Sequence, residues 1–385
     1  MRLNYNPLGK YIQEINVRNS DLAITNLLGV SMEKTFIPSV ANLNGVDLSV
    51  YKVLSKDQLA CKLMSVGRDE KLPVDLYKDE NPAIVSSAYY VFEPKDKKEL
   101  LPEYLMMWLC RPENDRYIGF ISGGDVRGGI SWDTFCSLPI RVPHIAKQRE
   151  IVKEYNTIQN RINLNNQLIQ KLEETAQAIY KQWFVEFDET HLEVKTLGDL
   201  CSLITDGKHG DCVDEIKSGY YFISVKDIIN GEIIYQNARQ ITKKDFEETH
   251  RRTNLKAGDI LVTNAGTIGR MAIVRDLPET NRTTFQKSVA ILKPKRGVAK
   301  THYLFLLIKF HLKEIIDLAG GSTQSNLLLG DLRNFEIKYH GYDYVNEIEN
   351  KTKPIFEMIG LKGLENQKLT ELKELLLSKL ATVEN

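Results

Sequence analysis

The sequence predicts an α+β protein built by tandem duplication, with two β-rich domains separated by a pair of long antiparallel coiled-coil helices. Three observations support this prediction. The 385 residues, 42% of them apolar, exceed what a single hydrophobic core usually supports. The chain resembles itself, in diverged form, at a shift of about 200 residues. Two segments, 151–187 and 355–380, repeat apolar residues at the roughly 3.5-residue period of coiled-coil helices.

The internal repeat is visible as a series of landmarks that keep their order in both copies. A Leu-Gly pair is followed by an apolar strand that ends in Pro-Lys, then by an apolar helix, a glycine pair and a long helical pattern. These landmarks are Leu8-Gly9 and Leu197-Gly198, Pro94-Lys95 and Pro294-Lys295, Tyr104-Leu105 and Tyr303-Leu304, and Gly123-Gly124 and Gly320-Gly321. One match could arise by chance, but several in register indicate a duplication. We therefore divide the chain into a first domain (1–143), a first helix (144–190), a second domain (191–343) and a second helix (344–385).

Each globular part mixes strands with shorter helices, and the second copy shows the pattern best. The segment 259–274 has two apolar runs around a glycine-bearing turn, which predicts a β-hairpin. The segments 221–225 and 288–292 add strands, and 303–318 has the apolar spacing and the length of a helix. In the first copy the corresponding hairpin is not evident, because 61–77 lacks this pattern.

The two long helical patterns carry the seam of a coiled coil. The seam residues are Ile151, Tyr155, Ile158, Ile162, Asn165, Ile169, Leu172, Ile179 and Trp183 in the first helix, and Ile355, Ile359, Leu369, Leu372, Leu376 and Leu380 in the second. Asn165 interrupts the apolar seam, and a single polar seam residue typically fixes register. Pro354 is predicted near the first turn of the second helix. Paired antiparallel, the helices would form a rod roughly 45–55 Å long; packing of each helix on its own domain is the alternative.

Composition narrows the possible functions. The 51 basic residues balance 51 acidic ones, which counts against a free-standing nucleic-acid binder but allows local basic surfaces and partners that supply phosphate contacts. Five scattered cysteines without a Cys-x-x-Cys pair suggest reduced structural thiols. No apolar stretch approaches the roughly 20 residues of a membrane span, and the N-terminus does not resemble a signal peptide. We therefore expect a cytoplasmic protein without membrane association.

The common catalytic motifs are missing from the sequence. It contains no Asn/Asp-Pro-Pro-aromatic loop, no Pro-Cys nucleophile and no glycine-rich cofactor turn after a strand, and neither Gly9-Lys10 nor Gly207-Lys208 belongs to a phosphate-binding P-loop. The seven histidines show no metal-ligand spacing. We therefore assign no catalytic residue, metal ligand or cofactor to this chain, and interpret it as a protein that recognises rather than catalyses. An enzyme with a disguised site is the alternative that these absences oppose.

Loops rich in small polar and basic residues at the ends of a β-rich domain suit DNA contact. Backbone amides and basic side chains hold phosphates, while amide and guanidinium groups read base edges. The candidate residues are Arg68, Ser86, Ser87, Gly123, Gly124 and Arg127 in the first domain, with Lys34 as a weaker candidate, and Lys208, His209, Asn264, Thr267, Arg270, Arg282, Gln286, Lys287, Gly321, Ser322, Thr323 and Gln324 in the second. Arg127 and Gln324 follow the paired glycines at equivalent places, as two domains that read different sequences would require. For each residue alone, an ordinary solvated loop is the alternative.

The order of these parts resembles the specificity subunit of Type I restriction-modification enzymes over essentially the whole chain. Three features carry the resemblance. The run 138–143 followed by 148–152 looks like the start of that family's central helix, Asn166-Gln167 and Asn366-Gln367 repeat within the two helices, and a Gly-Asp-Ile-Leu-Val hairpin starts at Gly258. No single motif is highly specific, but their order and spacing are.

The resemblance implies two target-recognition domains, each of which reads one part of an asymmetric, interrupted site in double-stranded DNA. The helical pair then acts as a ruler and as a docking surface. The implied partners are two methylation subunits, which bring S-adenosylmethionine and modify adenine, and ATP- and Mg²⁺-dependent restriction subunits for cleavage. Removing one heptad from the first helix should narrow the gap between the two parts of the site. A coiled-coil scaffold whose globular ends bind proteins is the alternative from another functional class.

Overall fold

The computed structural model describes residues 5–39, 45–64, 66–122, 128–185, 193–320 and 326–382. Contacts divide the chain into a first unit, residues 1–162 with 369–385, and a second unit, residues 163–368. Because this division cuts through both long helices, the four segments assigned from the sequence stay a prediction. No helix in the described part of the chain is long and apolar enough to cross a lipid bilayer.

The first unit is an α+β domain followed by the start of a long helix. Its strands are β1 (Asn6–Pro7), β2 (Ile12–Ile15), β3 (Leu27–Val30), β4 (Phe36–Pro38), β5 (Lys52–Leu54), β6 (Leu59–Cys61), β7 (Val74–Leu76), β8 (Ala83–Val85), β9 (Tyr90–Pro94) and β10 (Pro139–Ile140). Its helices are α1 (Val66–Asp69), α2 (Pro102–Leu109), α3 (Pro112–Ile121), α4 (Trp132–Cys136) and the long α5 (Ile145–Val185), which continues into the second unit. The central sheet has the order β2-β9-β6-β7, a second sheet has the order β4-β3-β8-β5, and β1 pairs with β10.

The second unit repeats this architecture. Its strands are β11 (Glu193–Thr196), β12 (Cys201–Asp206), β13 (Tyr221–Ile223), β14 (Ile228–Ile229), β15 (Glu232–Ile233), β16 (Ile260–Thr263), β17 (Met271–Ile273), β18 (Thr283–Phe285), β19 (Val289–Pro294) and β20 (Glu336–Tyr339). Its helices are α6 (Leu197–Leu200), α7 (Lys243–Thr253), α8 (Thr301–Phe310), α9 (Leu312–Asp317), α10 (Leu329–Asn334) and the long α11 (Tyr342–Lys379), whose last turns belong to the first unit. The central sheet has the order β12-β19-β16-β17, and β11 pairs with β20.

The two central sheets have the same topology, which confirms the predicted α+β duplication. The hairpin predicted in the second copy is present as β16 and β17. The first copy also contains this hairpin, formed by β6 and β7 with Leu59 opposite Leu76 and Cys61 opposite Val74. The strand pair that was not evident from the sequence is therefore present. The two strands are joined by a long connection that contains α1 instead of a short glycine turn, so the local turn signal is absent.

The long helices differ from the sequence prediction at two points. Pro354 lies inside α11, which begins twelve residues earlier at Tyr342. The side chains of Val345 and Ile348 in this early part are fully buried in the core of the second unit. This burial offsets the roughly 3 kcal/mol that a proline costs inside a helix. The helix predicted over 303–318 also divides into α8 and α9, because the backbone of His311 leaves helical values.

Packing against the globular domains, rather than a strict heptad seam, determines which residues of the long helices are buried. On α5, Asn165 and Ile169 are buried as predicted, but Tyr180 takes the buried place expected for Ile179. A straight α-helix drifts by about 20° per heptad, so packing on a domain moves the buried face. Three other predicted seam residues are also buried: Ile151, Ile359 and Leu380. Most of the others are partly buried, namely Tyr155, Ile158, Ile162, Leu172, Ile355, Leu369 and Leu376. The side chain of Trp183 is outside the described residues.

Polar side chains join the two long helices. In the second unit the Asn165 amide donates to Asn366 Oδ1 (2.9 Å) and the Asn366 amide donates to Asn166 Oδ1 (2.8 Å). In the first unit Lys373 Nζ donates to Gln159 Oε1 (2.8 Å). Among these contacting pairs, the residue number on α5 increases from 159 to 166 while the residue number on α11 decreases from 373 to 366. The two helices therefore run antiparallel. The predicted polar seam residue, Asn165, is thus a buried interhelical hydrogen-bond donor.

Each domain is attached to a long helix through a side chain at the same place in the repeat. In the first unit Gln148 is fully buried, accepts from the backbone N–H of Leu101 (2.9 Å) and donates to the carbonyl oxygens of Glu99 (2.7 Å) and Pro143 (2.8 Å). In the second unit Glu349 accepts from the backbone N–H groups of His302 (2.9 Å) and Tyr303 (3.1 Å). Both side chains therefore cap the first turn of a domain helix, α2 or α8.

The corresponding caps differ in charge. The carboxylate of Glu349 also lies 2.9 Å from His302 Nδ1. Burial raises the pKa of Glu349, but the His302 side chain and the backbone donors outweigh burial and hold it below its ordinary value. Gln148 instead faces two carbonyl oxygens, which need a donor. A neutral amide fits the first copy and a carboxylate fits the second.

Replacing Gln148 by Ala is expected to lower the free energy of unfolding of the first unit by about 3 kcal/mol, because three backbone groups lose their hydrogen bond to this buried side chain. Gln148→Glu should also destabilise, since its carboxylate would face the two carbonyl oxygens that accept from the Gln148 amide. Glu349→Gln, which can keep its acceptor oxygen on α8, is the matched control and should cost less. Urea unfolding of the full chain measures all three. Equal stability of wild type and Gln148→Ala would contradict the capping role.

Candidate DNA-recognition surfaces

Four loop segments of the second unit meet at one end of its central sheet. Backbone hydrogen bonds join them: Lys208 N–H to Phe285 O (2.9 Å), Lys287 N–H to Lys208 O (3.1 Å), Asn264 N–H to Ser288 O (3.0 Å) and Leu327 N–H to Asn264 O (2.9 Å). We call the segments 206–210, 264–270, 286–288 and 326–327 the second loop surface. The structure therefore brings together predicted candidates from Lys208 to Lys287, which are about 80 positions apart in the sequence.

The predicted candidates of this surface differ in exposure. The side chains of His209, Thr267, Arg270 and Lys287 are exposed, Lys208 and Gln286 are partly buried, and Asn264 is buried. Asn264 thus joins loops through its backbone rather than presenting its amide to solvent. Arg282 lies before β18, at the opposite end of that strand from Gln286, and is exposed. Gly321, Ser322, Thr323 and Gln324 lie outside the described residues, directly before Asn326.

Three of the basic candidates already have partners within the protein. Lys208 Nζ lies 3.2 Å from Asp245 and 2.9 Å from Glu248. Arg270 Nη1 donates to the carbonyl oxygen of Val225 at 3.0 Å. The ring of His209, which is 64% exposed, lies 2.8 Å from Asp206 Oδ2. These contacts orient the loop side chains, and the two acidic partners compensate the charge of Lys208.

Helix α7 adds basic residues that the sequence reading missed. Arg251 and Arg252 lie in its last turn. Arg252 donates to the carbonyl oxygens of Asp206 (2.9 Å) and Gly207, so this end of α7 lies beside the second loop surface. The side chain of Arg251 is exposed. The run His250-Arg251-Arg252 was the signal available in the sequence.

The first unit has a corresponding arrangement. The backbone N–H of Ile130 donates to Leu63 O (3.1 Å), as that of Leu327 does to Asn264 O in the second unit, and Gly67 N–H donates to Gly128 O (2.6 Å). We call the segments 62–64, 66–69, 86–89 and 128–130 the first loop surface. The segment 86–89 leads into β9, just as 286–288 leads into β19.

The predicted candidates of the first unit are described less completely. Ser86 is partly buried, and Ser87 is exposed in the turn before β9. Arg68 lies in α1, but its side chain is outside the described residues, as are Gly123, Gly124 and Arg127 entirely. The weaker candidate, Lys34, has a structural role: its Nζ lies 2.9 Å from Asp115 and donates to Leu109 O at 2.7 Å.

The helix pair of the first unit carries an exposed apolar groove. Ile158 of α5 and Leu372, Leu375 and Leu376 of α11 line a cavity of about 620 Å³, with the charged residues Glu150, Lys153, Glu154 and Lys379 at its rim. Leu372 and Leu375 are 51% and 58% exposed, so the prediction that Leu372 lies on the interhelical seam was wrong. Leu377, one position beyond Leu376, is buried instead and takes part in the core. Apolar surface of this kind, rimmed by charge, marks sites of protein contact.

The five cysteine thiols are not activated for chemistry. Burial raises the pKa of all five cysteine thiols, that of Cys201 to about 12. The thiols are therefore held in the protonated form, as structural cysteines are. Within the described ranges, no group of three or more His, Cys, Asp or Glu side chains is arranged to hold a metal ion.

The chain thus carries equivalent loop surfaces on its two duplicated domains and two long paired helices. The sequence model described as the Type I restriction modification DNA specificity domain matches residues 76–174 and 190–339. The chain belongs to this family, whose function is the recognition of DNA sequence.

Curated relatives extend the match over most of the chain. The HindI specificity subunit of Haemophilus influenzae is 24% identical over 420 residues, which cover 89% of each chain. The MjaIX specificity subunit of Methanocaldococcus jannaschii is 23% identical, covering 78% of this chain and 72% of the relative. The crystal structure of the S subunit of a Type I restriction-modification system from M. genitalium has a TM-score of 0.55 and 14% identity over 98% of this chain and 96% of its own. At that identity the structural match shows the fold alone.

Proposed function

We propose that this chain directs adenine methylation by partner subunits to an asymmetric DNA site in two parts, each read by one of its loop surfaces. The observation that carries the proposal is the pair of loop surfaces, which occupy equivalent places on the two central sheets but carry different side chains. Lys287 of the second surface corresponds to Ser87 of the first, because both lie in the turn before the equivalent strands β19 and β9. Different side chains on one scaffold are what reading two unrelated half-sites requires.

The second loop surface offers both kinds of contact that DNA reading needs. In the second unit, exposed Lys287 and Arg251 can hold phosphates, while Thr267 and Gln286 can pair with base edges. The equal numbers of basic and acidic residues in the chain favour a complex in which partner subunits supply further phosphate contacts. We therefore expect weak DNA binding by the chain alone and tight binding by the complex.

The long helices serve as spacer and docking surface in this proposal. Helices of 41 and 38 residues extend about 60 Å at 1.5 Å per residue. The apolar groove formed by Ile158, Leu372, Leu375 and Leu376 is the proposed contact for a methylation subunit. Two such subunits bring S-adenosylmethionine and the methyl-transfer chemistry, and restriction subunits with ATP and Mg²⁺ bring cleavage. This chain then acts as a non-catalytic component.

The test is to purify the full chain with candidate methylation subunits and to map methylated adenines in DNA that the complex has treated. We expect modification at a two-part site with a fixed gap. Exchanging residues 193–339 for those of a relative should change one half of that site and leave the other half unchanged. The methylation subunits alone serve as the control. A stable complex without site-specific modification would contradict the proposal and favour a protein-binding scaffold.

A further inference from the structure

Two glycines in the interior of α11 are not explained by helix formation. Gly360 and Gly363 lie three positions apart, well inside a helix of 38 residues. After proline, glycine is the residue least favourable to a helix interior, and this helix also contains Pro354. Positions three apart lie on one face of a helix. The two glycines therefore leave a patch without side chains on that face, here called the glycine seat.

An ion pair of the second domain occupies this seat. Arg275 follows β17 and Glu232 lies on β15, and the Arg275 Nη2 to Glu232 Oε1 distance is 2.6 Å. A Cβ atom at Gly360 would lie 2.8 Å from Arg275 Cζ, and one at Gly363 would lie 3.1 Å from Glu232 Cγ. Any larger residue at Gly360 would therefore displace the guanidinium group.

The ion pair is held firmly on the helix. Arg275 Nη1 donates to the carbonyl oxygen of Phe356 on α11 at 3.1 Å, while Nε lies 3.1 Å from Glu232 Oε1. The side chains of Arg275 and Glu232 are 17% and 9% exposed. Because the planar guanidinium group is hydrogen-bonded on several sides, it fixes both the distance and the relative orientation of the groups it joins. The single ammonium group of a lysine would not fix their orientation. Moving this group would leave buried charge unpaired, which is strongly unfavourable.

The glycine pair and its ion pair occur in the second copy of the repeat. With Gln148 aligned to Glu349, Gln159 and Ile162 of α5 correspond to the two glycines, and Lys78 corresponds to Arg275. The side chains that attach the first domain to its helix therefore differ from those of the second. A change at the glycine seat should affect the second domain and leave the first unchanged.

We infer that Gly360, Gly363, Arg275 and Glu232, here called the arginine clamp, are positioning residues that set the orientation of the second recognition domain on α11. The consequence of this inference rests on the proposed function. By holding the domain in one orientation, the clamp limits the lengths of the unread DNA gap at which the second half-site can be read. It does not contact DNA. It acts by holding the domain that carries the second loop surface.

The first test measures orientation without DNA or partners. Spin labels at Lys243 of α7 and Lys353 of α11, both exposed, report the distance between the domain and the helix in the full chain by pulsed electron paramagnetic resonance. The wild type should give one narrow distribution, and Gly360→Ala and Arg275→Lys should each broaden or shift it. Gly330→Ala, at a helical glycine with nothing within 4 Å of the added Cβ, is the matched control. Unchanged distributions in both clamp variants would overturn the inference.

The second test uses the full chain in complex with methylation subunits on a DNA library with randomised gap lengths. In the clamp variants, the preference for the best gap over gaps one base pair shorter or longer should fall about tenfold, as expected for a misplaced but intact binding domain. Loss of folding would instead reduce methylation at every gap and lower the thermal midpoint. An unchanged gap preference beside broadened distances would overturn the role in spacing. Failure of the wild type to methylate any two-part site would refute the proposed function. The distance measurement would still test whether the clamp orients the second domain on α11.

Discussion

Lengthening both long helices by seven residues, after Ile162 and after Lys368, is expected to widen the unread gap of the DNA site by about 3 base pairs. Seven residues add about 10.5 Å along a helix, and each base pair spans about 3.4 Å. These insertion points are the places where the chain divides into its two units. Two helical turns also return each face to within about 20° of its starting direction, so packing within each unit is preserved. Mapping methylated adenines measures the new gap.

The control for this prediction is an insertion in α5 alone. It would move Asn165 and Asn166 out of register with Asn366, to which they are hydrogen-bonded. We expect this variant to lose both stability and methylation. The expectation from the sequence, that a change in the first helix alone alters the gap, is therefore replaced by the paired insertion. A paired insertion that leaves the complex active with its gap unchanged would rule out the helices as a spacer.

Replacing Leu372 and Leu375 together by Glu is expected to weaken binding of a methylation subunit at least about 100-fold. Burying one leucine side chain in an interface contributes about 1.5–3 kcal/mol, and 1.4 kcal/mol corresponds to a tenfold change in the dissociation constant. Because the two side chains are 51% and 58% exposed in the chain itself, folding should change little. Isothermal titration calorimetry with purified methylation subunits measures the effect.

The matched control is Leu22→Glu, at a leucine of the first unit that is 55% exposed and does not belong to either long helix. It should bind the methylation subunit as tightly as the wild type. Thermal unfolding of each variant separates lost binding from lost folding. If the double variant binds normally, the groove is not the docking surface.

The candidate loops illustrate how far local sequence signals reach. Short runs of small polar and basic residues around 208, 264 and 287 indicated loops, and the structure joins them into one surface. The sequence did not indicate that Lys208 is paired with Asp245 and Glu248, or that Arg252 reaches Gly207. Those contacts depend on where α7 packs, which no local pattern encodes.

The duplication, the α+β class and the two long helices were determined by the sequence alone, because repeats and apolar periodicity are properties of neighbouring residues. The hairpin of β6 and β7, the buried place of Tyr180 and the interior position of Pro354 were decided by the tertiary structure. So were the caps made by Gln148 and Glu349 and the glycine seat under Arg275. Each of these depends on residues far apart in the chain, whose packing outweighs the local preference of the backbone.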